Sequence, residues 1–514
     1  MITKFRALVL LSLGVVVASI PLAAQTCSTT TYTNTLICTI PQLFGPQGLT
    51  LANPNHNAHF ADNSEAQFRP LNQAIGQALS ILPMGSSGSG TTFTLDSDGH
   101  PVPTEDSLGP ILTERANVIG RKAINVGVAY QYFSFSKIDG INLHSFPAVL
   151  IHEGSDVLSA IGPTSFKNDY IQTSNQVNLD LNQTVIYAVF GIAKHMDASI
   201  ELPIDAAHFR VISSAQIVRT QPCEAQPGPG GIGGNCLGAL DPEKAGVCGE
   251  FHYFEGTTDI TPDNCATIFS SVGPITYPYP GAPGLLPPSV PGGTPAPQPV
   301  RTGPPMTDAT GIGDITIRGK YEVINGEKLT GSIGLGVRFP SGDAKNFLGT
   351  GAYGVTPFGV LTYAGRISPH VRLGYEWNSG SVLAGDPTGL VSSTTASLPP
   401  AWLYSGGADF RVTKWLTIAA DLIGQGVLSA NRLSLGSFLR LPQTDGKTDP
   451  TTESTIPVPS IKPALSSYNS DAIAIGGKVR LKHELVLIGN ATIRVNDGGL
   501  HASVVPLVGL SYAF

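Results

Sequence analysis

Beyond its first two dozen residues the chain has no uninterrupted apolar run approaching the roughly 18 residues that a membrane helix requires, which excludes a helical membrane protein. Charge is scarce too. Only 13% of the 514 residues are Asp, Glu, Lys or Arg, about half the usual fraction for a soluble domain. An ordinary water-facing surface is therefore hard to build. Basic residues do not dominate, the formal net charge being −7, so nothing encourages a nucleic-acid reading. There are six cysteines, with no C-x-x-C pair or H-x-x-H-type set to hold a metal. A G-x-S-x-G nucleophile element is missing as well. His144-Ser145 and His152-Glu153 are isolated neighbours, and His56 and His59 lack further ligands. No enzyme, cofactor or metal is called for.

What the chain does have is apolar content (41%) broken into short pieces, with 59 glycines and 41 prolines to supply turns and loops. Lys4 and Arg6, an apolar stretch from Ala7 to Ile20 and Leu22-Ala23-Ala24 before Gln25 read as an export signal over residues 1–24. The mature protein then starts in an oxidising compartment, where Cys27, Cys38, Cys223, Cys236, Cys248 and Cys265 are disulfide candidates. Local pairing of Cys27 with Cys38, and of the other four among themselves, closes the shorter loops; the sequence does not fix connectivity.

Period-2 alternation is the decisive pattern, because barrel strands point successive side chains to lipid and lumen. Ile315, Ile317 and Tyr321 alternate with Asp314, Thr316, Arg318 and Lys320; Val371, Leu373, Tyr375 and Trp377 alternate with His370, Arg372, Gly374 and Glu376. The same holds from Trp415 and from Asp471. Tight polar connections (Lys194–Asp197, Ile324–Lys328, Ala364–Arg366, Thr413–Lys414, Lys482–Glu484) take turns with mostly long ones, the arrangement of periplasmic turns and outer loops. An all-β fold follows: a transmembrane antiparallel β-barrel of about twelve strands, or fourteen if two loop segments are also strands.

The expected strands are Ile124–Ser136, Gln172–Ala193, Ala198–Phe209, Gly311–Val323, Leu329–Phe339, Gly354–Tyr363, Pro369–Asn378, Ala401–Val412, Trp415–Gly426, Tyr468–Leu481, Leu485–Val495 and Leu500–Phe514. The second is too long for a membrane and should project outward as a polar ribbon. The last, with Val508, Leu510, Tyr512 and Phe514 on one face, resembles the terminal signal read by the outer-membrane insertion machinery, an expected partner alongside outer-membrane lipid. Residues 25–117 form a polar N-terminal extension or plug with a short helix expected from Glu65 to Leu82. The barrel proper is expected over 118–514, interrupted at 213–310 by a large Cys/Pro-rich outer loop.

Alternation assigns a charged set to the lumen: Asp314, Arg318, Lys320, Arg338, Arg372, Glu376, Asp409, Arg411, Asp421, Lys478, Arg480 and Arg494. Such charges must be paired or hydrated. They can form cross-strand ion pairs that fill a narrow barrel, or a wet, cation-lined path favouring anions. Aromatics at strand ends (Tyr130, Tyr132, Phe133, Tyr187, Phe339, Tyr375, Trp377, Tyr404, Trp415, Tyr512) suit interfacial girdles.

Several motifs carry a family resemblance. Glu114-Arg115-Ala116, Gly120 to Gly127, Tyr130 to Phe133 and Lys137 to Gly140 open the stretch, and Gly311 to Asp314, Phe339 to Asp343, Leu348 to Gly351 and Pro506 to Leu510 follow. In this order they resemble the outer-membrane barrels grouped as "putative MetA-pathway of phenol degradation", related to long-chain fatty-acid channels. The resemblance implies a channel for passive uptake of small hydrophobic or aromatic solutes, and carries over no ligand residues. The alternative is a structural or surface-interaction barrel working through its disulfide-linked outer loop.

Overall fold

The computed structural model describes residues 26–51, 58–82, 93–95, 101–103, 108–152, 170–218, 300–302, 307–390, 392–440, 456–481 and 485–513. The export segment, four of the six cysteines and Phe514 fall outside these. So does the disulfide-linked loop on which the surface-interaction alternative depends.

Twelve antiparallel strands close on themselves: β1 (Ile124–Phe135), β2 (Tyr170–Ala193), β3 (Met196–Val218), β4 (Thr316–Asn325), β5 (Leu329–Arg338), β6 (Gly354–Tyr363), β7 (Ile367–Asn378), β8 (Ala401–Arg411), β9 (Leu416–Arg440), β10 (Ile456–Arg480), β11 (Leu485–Arg494) and β12 (Val504–Ala513). Each pairs with its neighbours in sequence, and β12 returns to β1 in a register running from Leu507 opposite Gln131 to Ala513 opposite Asn125. The count is twelve, because β12 meets β1 with no strand between them. Short strands Phe146–Ile151 and Asp308–Ile312 lie beside the outer parts of β2 and β3.

The two faces sort by chemistry. Ile317, Ile333, Leu335, Val371, Leu373, Ile418, Leu422, Ile473, Ile475, Val508 and Leu510 stand exposed on the outside, where they would be costly in water and are at home in lipid. Exposed aromatics ring both ends of this belt. Tyr321, Tyr363, Phe410 and Trp415 lie by the tight turns, and Tyr353, Trp377 and Trp402 at the opposite end. This is a bacterial outer-membrane barrel, its tight turns in the periplasm. Among the described residues no helix is long and apolar enough to cross a membrane. Some expected girdle members are elsewhere: Phe133 and Tyr187 are buried inside, and Tyr404 faces the lumen with its hydroxyl 2.6 Å from Asp471.

Two hairpins rise beyond the membrane belt. The β2–β3 ribbon was expected from its polar residues, but β3 runs on past Phe209 to Val218. The stretch between Leu428 and Ser467 was expected to be a loop; instead β9 and β10 continue as paired 25-residue strands. They stay ordered because their inner faces are covered. Leu433 and Ile461 join Phe133, Phe135, Phe146 and Phe209 in one buried core with the N-terminal segment.

That segment supplies helix α1 (Ala61–Leu79), which buries Phe68, Leu71 and Ile75. Pro70 is the tenth residue of α1, and so later than the first turn that tolerates proline best. Before α1, Cys27 and Cys38 are joined by a disulfide, as local pairing suggested. Asn63 receives the Ile151 N–H, and Gln67 and Gln77 bond to Ile461 and Asn431 on the outer ribbons. Residues 26–51 and 58–82 thus form a cap across the outer mouth.

Candidate functional site in the barrel lumen

At the periplasmic end, residues 108–119 run round the inner wall and exchange hydrogen bonds with nearly every strand they pass. The Leu108 N–H donates to Thr417 of β9 at 3.0 Å, and Lys478 of β10 donates to the Leu108 carbonyl at 3.2 Å. Thr113 lies 2.8 Å from His370 Nε2 of β7, which is also 2.8 Å from Asp421 of β9. Arg115 reaches Asp409 of β8 at 2.8 Å, with both side chains fully buried. Ala116 N–H donates to Thr362 of β6 at 3.0 Å, and its carbonyl accepts from Ser332 of β5. Val118 and Ile119 donate to Glu322 of β4 and Asp197 of β3. Lys320 binds the Arg115 and Asn117 carbonyls at 3.0 and 3.1 Å. The segment is a plug whose irregular backbone is satisfied by side chains of the wall, as buried backbone must be.

Between this plug and the cap lies a cavity of about 160 Å³. Ser80, Ile81 and Leu82 roof it; Leu112, Thr113 and Glu114 floor it; the wall comes mainly from β4 to β9. Four of the predicted lumen residues meet here. Arg318 pairs with Glu201 at 3.0 Å. Arg338 reaches Glu376 at 2.9 Å, the Asn378 side-chain oxygen at 2.6 Å and the Ser80 carbonyl at 3.3 Å. Arg372 lies over the Phe358 ring, 4.7 Å from its centroid, and its Nε is 3.5 Å from Glu114. Phe358 in turn lies over Gly334, where a Cβ would come within 2.2 Å of the ring, so this glycine fixes the ring's height.

The other predicted residues take different places. Asp314 accepts from the Gly342 and Thr350 N–H groups, stands 3.8 Å from Arg338 and lines a neighbouring cavity of about 80 Å³. Lys320, Asp409, Asp421 and Lys478 hold the plug rather than the cavity. Arg411 and Arg480 end their strands at the periplasmic rim, and Arg494, at the outer end of β11, binds Ser470 and the Gly498 carbonyl. Glu114, Arg115 and His370 were not singled out as site residues. Their signal was a cluster of polar and charged side chains, Thr113-Glu114-Arg115, between the apolar pairs Ile111-Leu112 and Val118-Ile119.

Comparison with known proteins bears on this arrangement. The family described as "Putative MetA-pathway of phenol degradation" matches residues 286–433. The resemblance holds over that stretch. It takes in the Gly311–Asp314 and Phe339–Gly351 motifs, together with Arg318, Arg338, Arg372 and Glu376 of the cavity. The plug and the closing strand lie outside the matched residues. No curated protein matches the chain. Among solved structures, an outer membrane channel from Pseudomonas putida F1 is 9% identical, covering 80% of this chain and 99% of its own, with a TM-score of 0.37. A deletion mutant of the monoaromatic hydrocarbon channel TodX is 7% identical over 84% and 97%, with a TM-score of 0.27. A FadL homologue from Pseudomonas aeruginosa is 10% identical over 77% and 90%, with a TM-score of 0.25. With scores this low, the architecture rests on the chain's own strand pairings.

Proposed function

We propose that the protein is a passive outer-membrane channel for small hydrophobic or aromatic compounds. One observation carries the reading: among the described residues, cap and plug divide the lumen around a cavity with aromatic and guanidinium walls. A purely structural barrel could fill that space with ion pairs or apolar side chains at lower cost, since buried charges are stabilising only when well paired. The family match over the cavity-forming strands supports the same reading. It also includes recognition of the C-terminal strand by the insertion machinery on delivery to the membrane.

The test is flux. Purified protein in proteoliposomes should admit small solutes, and deletion in the native host should slow growth on aromatic carbon sources. A barrel that passes no solute, and whose loss leaves aromatic uptake unchanged, would refute it.

A further inference from the structure

We propose that the cavity between cap and plug binds a single-ring carboxylate, benzoate being the simplest, with Arg372 as its anchor and Glu114 of the plug as the carboxylate it displaces. This rests on the channel reading and names the solute class.

Three guanidiniums line the cavity, and they are not equally committed. Arg318 donates to Glu201, and Arg338 is tied by Glu376, Asn378 and the Ser80 carbonyl. Arg372 differs. Its contacts are the Phe358 ring face and Glu114 at 3.5 Å. Among the described residues its buried Nε has no hydrogen-bond partner, and neither has Glu114 Oε2 facing it. A guanidinium presents five N–H donors in a planar fork that matches a carboxylate. Held out of water, such a fork is a site for an oxyanion that can make both bonds at once.

Charge balance explains the competition. Arg318, Arg338, Arg372 and Lys320 stand against Glu114, Glu201, Asp314 and Glu376, and Lys320 also has Asp197 at 3.9 Å, so four cations face five acids. No cation is spare, so an added carboxylate can bind Arg372 only in competition with Glu114. Glu114 can give way, because Lys320 lies 3.6 Å away on its other side. Ligand entry is then coupled to movement of the plug residue next to Arg115. Size sets the other limit. About 160 Å³ compares with the roughly 150 Å³ cavity known to hold benzene, so one ring fits and a long acyl chain does not. Phe358, Tyr404, Leu112 and Leu403 supply the ring's surroundings.

Calorimetric titration of the detergent-solubilised full-length protein tests this with benzoate and its neutral isostere benzamide. Benzoate should bind about ten- to a hundredfold more tightly than benzamide, the range of a charge-assisted hydrogen-bond pair. Arg372→Gln should abolish that preference. Arg372→Lys should retain part of it, since an ammonium keeps the charge and loses the fork. Glu114→Gln, which keeps the guanidinium and removes the competitor, should tighten benzoate binding. Equal binding of the two ligands, or a preference unchanged in Arg372→Gln, overturns the proposal; if Arg372→Gln does not fold, unaltered benzoate binding in Glu114→Gln overturns it instead. Proteoliposome flux separates the two readings. Solute passage without benzoate selectivity sinks this inference and leaves the channel; benzoate binding with no passage of any solute sinks the channel and leaves the site.

Discussion

Replacing Arg115 by methionine should unlatch the plug. Arg115 and Asp409 are both 0% exposed and meet at 2.8 Å, at the point where the segment turns from β8 towards β6. Methionine keeps much of the side-chain length and removes the charge, so Asp409 loses its 2.8 Å guanidinium partner and keeps His370 Nδ1 at 3.7 Å. Breaking a buried pair by deleting one partner costs about 3–5 kcal/mol. Lys478 lies within electrostatic reach of both Arg115 and Asp409, so it can take over part of the load and place the cost near the lower end. Asp409 regains water when the plug leaves, so the penalty falls on the closed state. The closed-to-open ratio should therefore drop by roughly a hundredfold, and by a few thousandfold at the upper limit. Single-channel recording in planar bilayers reads this directly as frequent openings where the parent shows rare ones. The double variant Arg115→Met with Asp409→Leu removes both charges and should restore closure, because the carboxylate that lost its guanidinium is gone as well. Heat-modifiable gel mobility shows that each barrel has folded. If the folded single variant opens no more often than the parent, or the double variant opens as often as the single, the latch does not exist.

Two further perturbations probe the cap and the plug's exit. Burial raises the Glu65 pKa from 4.5 to about 7, with Arg69 opposing the shift and Asp386 and Asp62 reinforcing it. The folded cap then holds a proton that the released cap gives up, so docking is fully favoured below about pH 4.5 and this contribution is lost as pH rises through 7. Limited proteolysis of the N-terminal segment should be slower at pH 5 than at pH 8, and Glu65→Gln should flatten the dependence; a cap equally protected at both pH values contradicts the assignment. At the plug's exit, a Cβ on Gly191 would lie 1.6 Å from the Gly120 carbonyl oxygen. The surrounding backbone is pinned by bonds from Lys122 to Gly191 at 2.8 Å and from Gly191 to Ala123 at 2.9 Å. Gly191→Ala should destabilise the barrel by about 1–3 kcal/mol or more, visible as a lowered unfolding temperature on heat-modifiable gels, whereas an unshifted midpoint would mean that this contact is not tight.

The transmembrane part of the fold was legible because lipid and lumen impose opposite demands on successive residues. In β7 the exposed Val371, Leu373 and Trp377 alternate with inward His370, Arg372 and Glu376, and no soluble context is needed to read that pattern. The outer hairpins obey a different rule. Pro457, Pro459 and Pro463 in β10 read as loop, since proline cannot donate to a ladder. All three occupy odd positions, so their missing N–H groups fall on the edge turned away from β9, and pairing survives opposite Leu439, Ser437 and Leu433. Period 2 likewise gives a charge its face but not its height or its neighbours. Arg372 and Arg480 are both inward by alternation, yet one stands beside Arg318 and Arg338 while the other ends its strand at the periplasmic rim. Closure and plug placement make that difference. The cavity exists only because Glu114, from a segment with no alternation, comes to lie between Lys320 and Arg372. For the same reason its chemistry belongs to the plug as much as to the barrel, and a substitution at Glu114 should alter solute preference more than one at Arg480, although both are charged residues of the same lumen.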